Sequence, residues 1–184
     1  MIHMSFHKKN TSEKIKEATI NMLAEYTYDE ISMRKIAKEA NVALGQLTYY
    51  YRTKENLIVS VVKEVFELFY DEFEDTISNS KNKIKKIKEG VESILKEDSQ
   101  IDRLLINILS QSQINKKLQK ILSEFWKKIV LLITSCYVEE LKLTEKEANL
   151  KARLLIGAIV ENIVENILDV KFDIDNDTLL IDKD

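Results

Sequence analysis

The chain has 184 residues, 45% hydrophobic and 32% charged, with no proline, three glycines and one cysteine. That is core enough for one or two globular domains, and the scarcity of both helix breakers favours long helices. Cys136 alone excludes an intrachain disulfide, no apolar run nears the roughly 20 residues that span a bilayer, and MIHMSFHKKN lacks a signal-peptide core, so a cytoplasmic protein is expected.

Asn10 or Thr11 is expected to cap a first helix, with Glu13 in its first turn and a buried stripe of Ile15, Ala18, Thr19, Met22 and Leu23. A second helix follows Ser32, with Met33, Ile36, Ala37 and Ala40 on one side. Asn41-Val42-Ala43 interrupts it, and a third runs over Leu44–Tyr51. Thr53 is a good cap for a fourth helix reaching about Ile77, with Leu57, Val61, Val65, Leu68, Phe69 and Phe73 inward. Ser78-Asn79-Ser80 marks a break before a fifth helix carrying Ile84, Ile87, Val91, Ile94 and Leu95. A short helix over 99–110 presents Ile101, Leu104, Leu105 and Ile108, and a long one over 114–141 carries Phe125, Trp126 and Tyr137. Thr144-x-x-Glu147 is a capping box for the last helix, which runs to about Val170, and the acidic tail from Lys171 has little helical pattern.

Two short helices joined by a three-residue turn form a helix-turn-helix, whose second helix fits a DNA major groove. On a helical wheel Leu47 and Tyr51 point one way, with Leu44 and Thr48 at the margin, while Gly45, Gln46, Tyr49 and Tyr50 point largely the other. Three consecutive aromatics cannot all face one core. Leu44, Gly45, Gln46, Thr48 and Tyr49 are therefore the expected base-reading set. Gln46 pairs with an adenine edge, Tyr49 packs on a thymine methyl, and Gly45 permits close approach. Ser32, Arg34, Tyr50, Arg52, Thr53 and Lys54 are expected on phosphates, with Lys8 and Lys9 reaching the backbone or a minor groove. The charge agrees in outline. Residues 1–57 hold nine Lys/Arg against seven Asp/Glu and residues 58–184 nineteen against twenty-four, so a mildly basic head sits on an acidic body.

This segment resembles the DNA-binding domain of the tetracycline-repressor (TetR) family of bacterial regulators, whose pattern is roughly T-x-x-x-I-A-x-x-A-G-V-S-x-G-x-L-Y-x-x-F-x-x-K-x-x-L. Ile36-Ala37, Ala40, Val42, Gly45, Leu47, Lys54 and Leu57 stand on pattern positions, with Ser32 at the Thr and Tyr51 at the Phe. Asn41 replaces the Gly, which a positive φ tolerates next best. Ala43 replaces the Ser, giving up a cap worth about 1 kcal/mol. Thr48 replaces the Tyr and removes a backbone contact. The resemblance implies an all-α chain: a three-helix helix-turn-helix domain over 1–57, a helical effector and dimerisation domain over 58–170, and a tail over 171–184.

The resemblance also implies a homodimer built from the last two long helices. The stretch from Ala152 to Leu168 is apolar on more than one side, as a helix with two partners must be. Ala152, Leu155, Gly157, Ile159, Asn162, Ile163 and Asn166 are the expected interface. Phe66, Phe69, Tyr70, Phe73, Phe125, Trp126 and Tyr137 are the expected walls of an apolar pocket. The function expected is a transcriptional regulator, a repressor released from a palindromic double-stranded DNA operator by a small apolar or amphipathic effector. The alternative is an architectural or interaction protein of the same fold that binds DNA with no ligand switch.

Other signals are weaker. His3 and His7 lack further metal ligands, and Cys136 shows no activating neighbour. Asp173-x-Asp175-x-Asp177 has Thr178 where a calcium loop needs Gly. No catalytic motif stands out, so neither cofactor, metal nor enzymatic activity is expected.

Overall fold

The computed structural model describes residues 10–96 and 100–170, and every regular element among them is helical. His3, His7, Lys8, Lys9 and the tail lie outside the described residues. The chain forms two compact units. One comprises the chain up to Glu64 together with Arg103–Gln119; the other comprises Val65–Asp102 and the chain from Lys120 on.

In the first unit, α1 (Thr11–Glu25) starts at a complete capping box. The Asn10 side-chain oxygen accepts from the Glu13 amide at 3.0 Å, and the Glu13 carboxylate accepts from the Asn10 amide at 2.9 Å. Its buried face is the expected stripe plus Ala24. A 3-10 turn over Tyr28–Glu30, which periodicity does not reveal, follows. Then come α2 (Met33–Glu39) and α3 (Leu44–Tyr50). The first half of α4 (Lys54–Ser78) completes the core with Leu57, Ile58, Val61 and Val62. Lys16 of α1 pairs with Glu64 of α4.

The second unit takes the rest of α4, then α5 (Lys83–Lys96), most of α7 (Lys116–Leu141) and α8 (Glu145–Leu168). Its core joins Ile77, Ile87, Val91, Ile129, Ile133, Tyr137, Ala152, Leu155 and Ile156. Gly90 lets α5 lie close to α4, since a Cβ there would stand 3.3 Å from the Phe73 ring. The start of α5 is capped from α7: the Glu140 carboxylate accepts from the amides of Lys83 at 2.7 Å and Ile84 at 3.1 Å. Thr144 and Glu147 form the expected box at the start of α8. Leu68, expected inward, is 56% exposed. The helix α6 (Gln100–Ser112), like α4 and α7, contributes residues to both units. No helix among the described residues is long and apolar enough to cross a membrane.

Candidate nucleic-acid interface

The site is built by α2, its turn and α3. The Ser32 hydroxyl oxygen caps α2 by accepting from the Lys35 amide at 3.2 Å. The helix closes at Ala40, and Asn41 takes φ 51°, the left-handed conformation the family glycine would supply. The Val42 amide then bonds to the Ala37 carbonyl at 2.9 Å and turns the chain into α3.

Leu47 is fully buried and pins α3 to the core, with Tyr51 half-buried beyond its end. The remaining surface of α3 is open. Gly45, Gln46 and Thr48 are exposed, as is Leu44 at 37%, while Tyr49 and Tyr50 are 84% and 53% exposed. Edge-to-face contact at 5.5 Å orders the two tyrosine rings against each other. Both rings stand in solvent on the open face of α3.

The polar groups have local tasks as well. Ala43 offers no side-chain cap, and the Gln46 side chain instead turns back to accept from the Ala43 amide at a long 3.4 Å. The Thr48 hydroxyl donates to the Leu44 and Gly45 carbonyls, both at 3.1 Å. Arg34, Arg52 and Thr53 are exposed, and the Thr53 hydroxyl oxygen caps α4 through the Asn56 amide at 3.1 Å. Lys54 donates to the Tyr28 carbonyl at 2.8 Å and lies 4.1 Å from the centre of its ring. One of its three ammonium donors is thus taken, and the ammonium is fixed in place rather than free to swing. Burial, then the Glu55 and Asp29 carboxylates, raise the Tyr28 phenol above its usual range, which keeps it neutral beside Lys54.

Two residues outside the motif support this head. The Asn107 amide donates to the Leu23 and Tyr26 carbonyls at 2.7 and 2.9 Å, and the Arg103 guanidinium donates to the Ala24 carbonyl at 2.9 Å. Both stand on α6 and satisfy the carbonyls left open where α1 ends. A signal was present: α1 ends with no basic residue in its last turn and no following glycine, so its carbonyls need donors from elsewhere.

In the second unit Phe66 stacks on Phe125 with centroids 4.6 Å apart, and Phe69 meets Phe125 edge-on at 5.9 Å and lies nearly parallel to Phe73 at 6.2 Å. Tyr70 donates to Glu74 at 2.9 Å and lies under the Lys128 ammonium. Tyr137 is buried within the core, and Trp126 is 41% exposed. Of the residues expected between subunits, Ala152 and Leu155 belong to the unit's own core, Ile163 is buried, and Ile159 and Asn162 are half-buried. Asn166 donates to the buried Asp102 carboxylate at 3.0 Å. Gly157 is exposed, and so is a row along the same side: Leu150, Leu154, Val160, Val164 and Leu168.

Residues 15–61 match the family model described as bacterial regulatory proteins, tetR family. The chain is 26% identical over 169 residues to the fatty acid metabolism regulator protein of Bacillus subtilis, covering 88% of this chain and 86% of that one. Among solved structures, the transcriptional regulator FadR from Bacillus subtilis in complex with stearoyl-CoA shares the fold with a TM-score of 0.70 and 23% identity, over 91% of this chain and 94% of that chain. A putative transcriptional regulator from Saccharomonospora viridis in complex with choline gives a TM-score of 0.77 at 15% identity, over 92% and 91% of the two chains.

Proposed function

Because the chain belongs to the tetR family of bacterial regulatory proteins, we propose that it is a homodimeric repressor, released from a palindromic operator by an amphipathic acyl effector, with an acyl-CoA as the first candidate. The observation that carries DNA binding is the surface of α3, where one fully buried leucine anchors a helix whose other side chains, two tyrosines included, stand in solvent. Gln46, Thr48 and Tyr49, with Leu44 at the edge, read bases in this proposal, and Gly45 lets the helix sit deep in the groove. Arg34, Tyr50, Arg52 and Lys54 hold phosphates, while Ser32 and Thr53 bring helix-start amides to the backbone.

Two such heads read a palindrome when the bodies pair. The proposed interface is the exposed row of α8, joined by Leu131 and Val138 of α7, which are 63% and 38% exposed. The acyl effector is supported by the relative's name, which concerns fatty acid metabolism, and by the aromatic and aliphatic interior of the second unit. The fold alone does not choose the effector, since structures that share it hold ligands as unlike as stearoyl-CoA and choline. In this reading the effector prefers a state whose heads no longer match successive grooves, and α4, α6 and α7, which serve both units, carry the change.

The test is selection of bound duplexes from a random pool, followed by titration of stearoyl-CoA into the protein–operator complex. A palindromic site occupied by two chains, released as stearoyl-CoA rises, is the expected result. Enrichment of no sequence would overturn the regulator reading, and unchanged operator affinity in saturating stearoyl-CoA would overturn the acyl-CoA effector.

A further inference from the structure

Buried polar side chains in this molecule are satisfied internally, as they are in stable proteins generally. The hydroxyls of Thr19 and Thr134 donate to the carbonyls of Ile15 and Val130, each at 2.7 Å, and Asp102 accepts from Asn166. Tyr137 differs. It is only 6% exposed and packs within an aliphatic cluster that includes Ile133, Ala152, Leu155 and Ile156. Yet among the described residues its hydroxyl makes no hydrogen bond. The oxygen is not sealed off either, because no fully enclosed side-chain polar atom among the described residues lacks a partner. A nearly buried phenol thus keeps a trace of solvent contact at its oxygen and no partner within the described chain.

We propose that the Tyr137 hydroxyl is the polar anchor of the effector site, donating a hydrogen bond to a neutral carbonyl oxygen on an otherwise apolar chain: the thioester, ester or amide of an acyl compound. This rests on the effector reading above and narrows the chemistry of the ligand. The surroundings favour a neutral partner. Burial, reinforced by the neighbouring Cys136 thiol, pushes the phenol up to about 12, and no described cation pulls it back. The hydroxyl therefore stays a neutral donor at any physiological pH. A carboxylate or an ammonium drawn into the aliphatic cluster would bear a desolvation penalty that one neutral phenol does not offset. A carbonyl oxygen needs only one donor and brings an apolar chain suited to the aliphatic cluster. A charged head group stays outside this part of the site.

The experiment is a cycle on the full-length protein. Wild type and Tyr137→Phe are titrated with stearoyl-CoA and with its thioether analogue, which keeps the chain and the nucleotide but lacks the carbonyl oxygen. The same comparison is repeated with methyl dodecanoate and dodecane. Wild type is expected to prefer each carbonyl compound about three- to tenfold beyond the preference shown by Tyr137→Phe, the worth of one neutral hydrogen bond. Equal preference in the two proteins would overturn the anchor while leaving an acyl effector standing. A Tyr137-dependent preference for the methyl ester, with no binding of either CoA compound, would uphold the anchor and refute the acyl-CoA effector. Failure of every probe to bind wild type would overturn both. The melting temperature supplies a check without ligand: with no internal partner to lose, Tyr137→Phe should melt at or above wild type. A fall of several degrees would show the hydroxyl bonded within the fold and would end the proposal.

Discussion

Gly45 offers the sharpest test of the DNA-binding surface, because replacing it should move stability and binding in opposite directions. A Cβ built at Gly45 meets nothing within 4 Å, and no glycine in the described chain has positive φ. Alanine therefore fits the free protein without strain. Glycine within a helix is worse than alanine by up to about 1 kcal/mol, chiefly through the unfolded chain. At the second position of α3, Gly45→Ala should add about 0.4–1 kcal/mol, which for a chain of this size raises the melting temperature by about 1–4 °C. The same methyl would project from the exposed face of α3 toward the groove. Overpacking of a close interface costs about 1–3 kcal/mol, or roughly five- to 150-fold in operator affinity. Thermal melts and fluorescence anisotropy with the selected operator, at one fixed salt concentration, measure the two quantities. A variant that is more stable and binds as tightly as wild type would refute close approach at Gly45.

Gln46→Ala should cost about 1–3 kcal/mol at particular base pairs and relax preference there. Lys54→Ala should weaken all sequences alike and lower the salt slope by about one unit, readable from affinities between 50 and 200 mM salt. Asn107→Ala leaves the partly buried Leu23 carbonyl without its donor and should cost about 1–3 kcal/mol, visible as a lower urea midpoint together with weaker operator binding. Leu154→Glu, on a side chain 58% exposed in the single chain, should give a folded monomer by sedimentation with operator affinity largely lost. Ala152→Glu, at a fully buried position, should instead unfold the second unit; two folded dimeric variants would refute the assignment of α8's two sides.

Local chemistry was legible in the sequence where one signal sufficed. The apolar period marked the inner faces of α1 and α2, and the caps at Asn10, Ser32, Thr53 and Thr144 stand where side-chain acceptors precede apolar repeats. Asn41 announced its left-handed turn. What required tertiary contacts was not legible. The 3-10 turn that holds Lys54 has no periodicity of its own. Arg103 and Asn107 read as ordinary polar residues on an amphipathic helix until the end of α1 is seen to need them. The two sides of α8 are both apolar, so no periodicity can say which one meets its own core. Packing decides, enclosing Ala152, Leu155 and Ile163 and leaving Leu150, Leu154, Val164 and Leu168 outside.

The three glycines connect these surfaces to function. Each lies within a helix, where alanine would be the more stable choice. Gly90 has an internal reason, since a Cβ there would stand 3.3 Å from the Phe73 ring, which would have to give by a few tenths of an ångström. Gly45 and Gly157 have none: the space beside each is open in the single chain. Both stand on faces that also expose apolar side chains, Tyr49 beside Gly45 and Leu154 with Val160 beside Gly157. A helix that gives up stability for a missing methyl, on a face the chain leaves uncovered, is shaped for a close approach by something outside the chain. For α3 the proposed neighbour is the floor of a DNA groove, and for α8 the proposed neighbour is the corresponding helix of a second subunit. Gly157→Ala should accordingly raise the stability of each chain while loosening the dimer, measured as a higher dissociation constant in sedimentation. A tighter or unchanged dimer would place the subunit contact elsewhere on the surface.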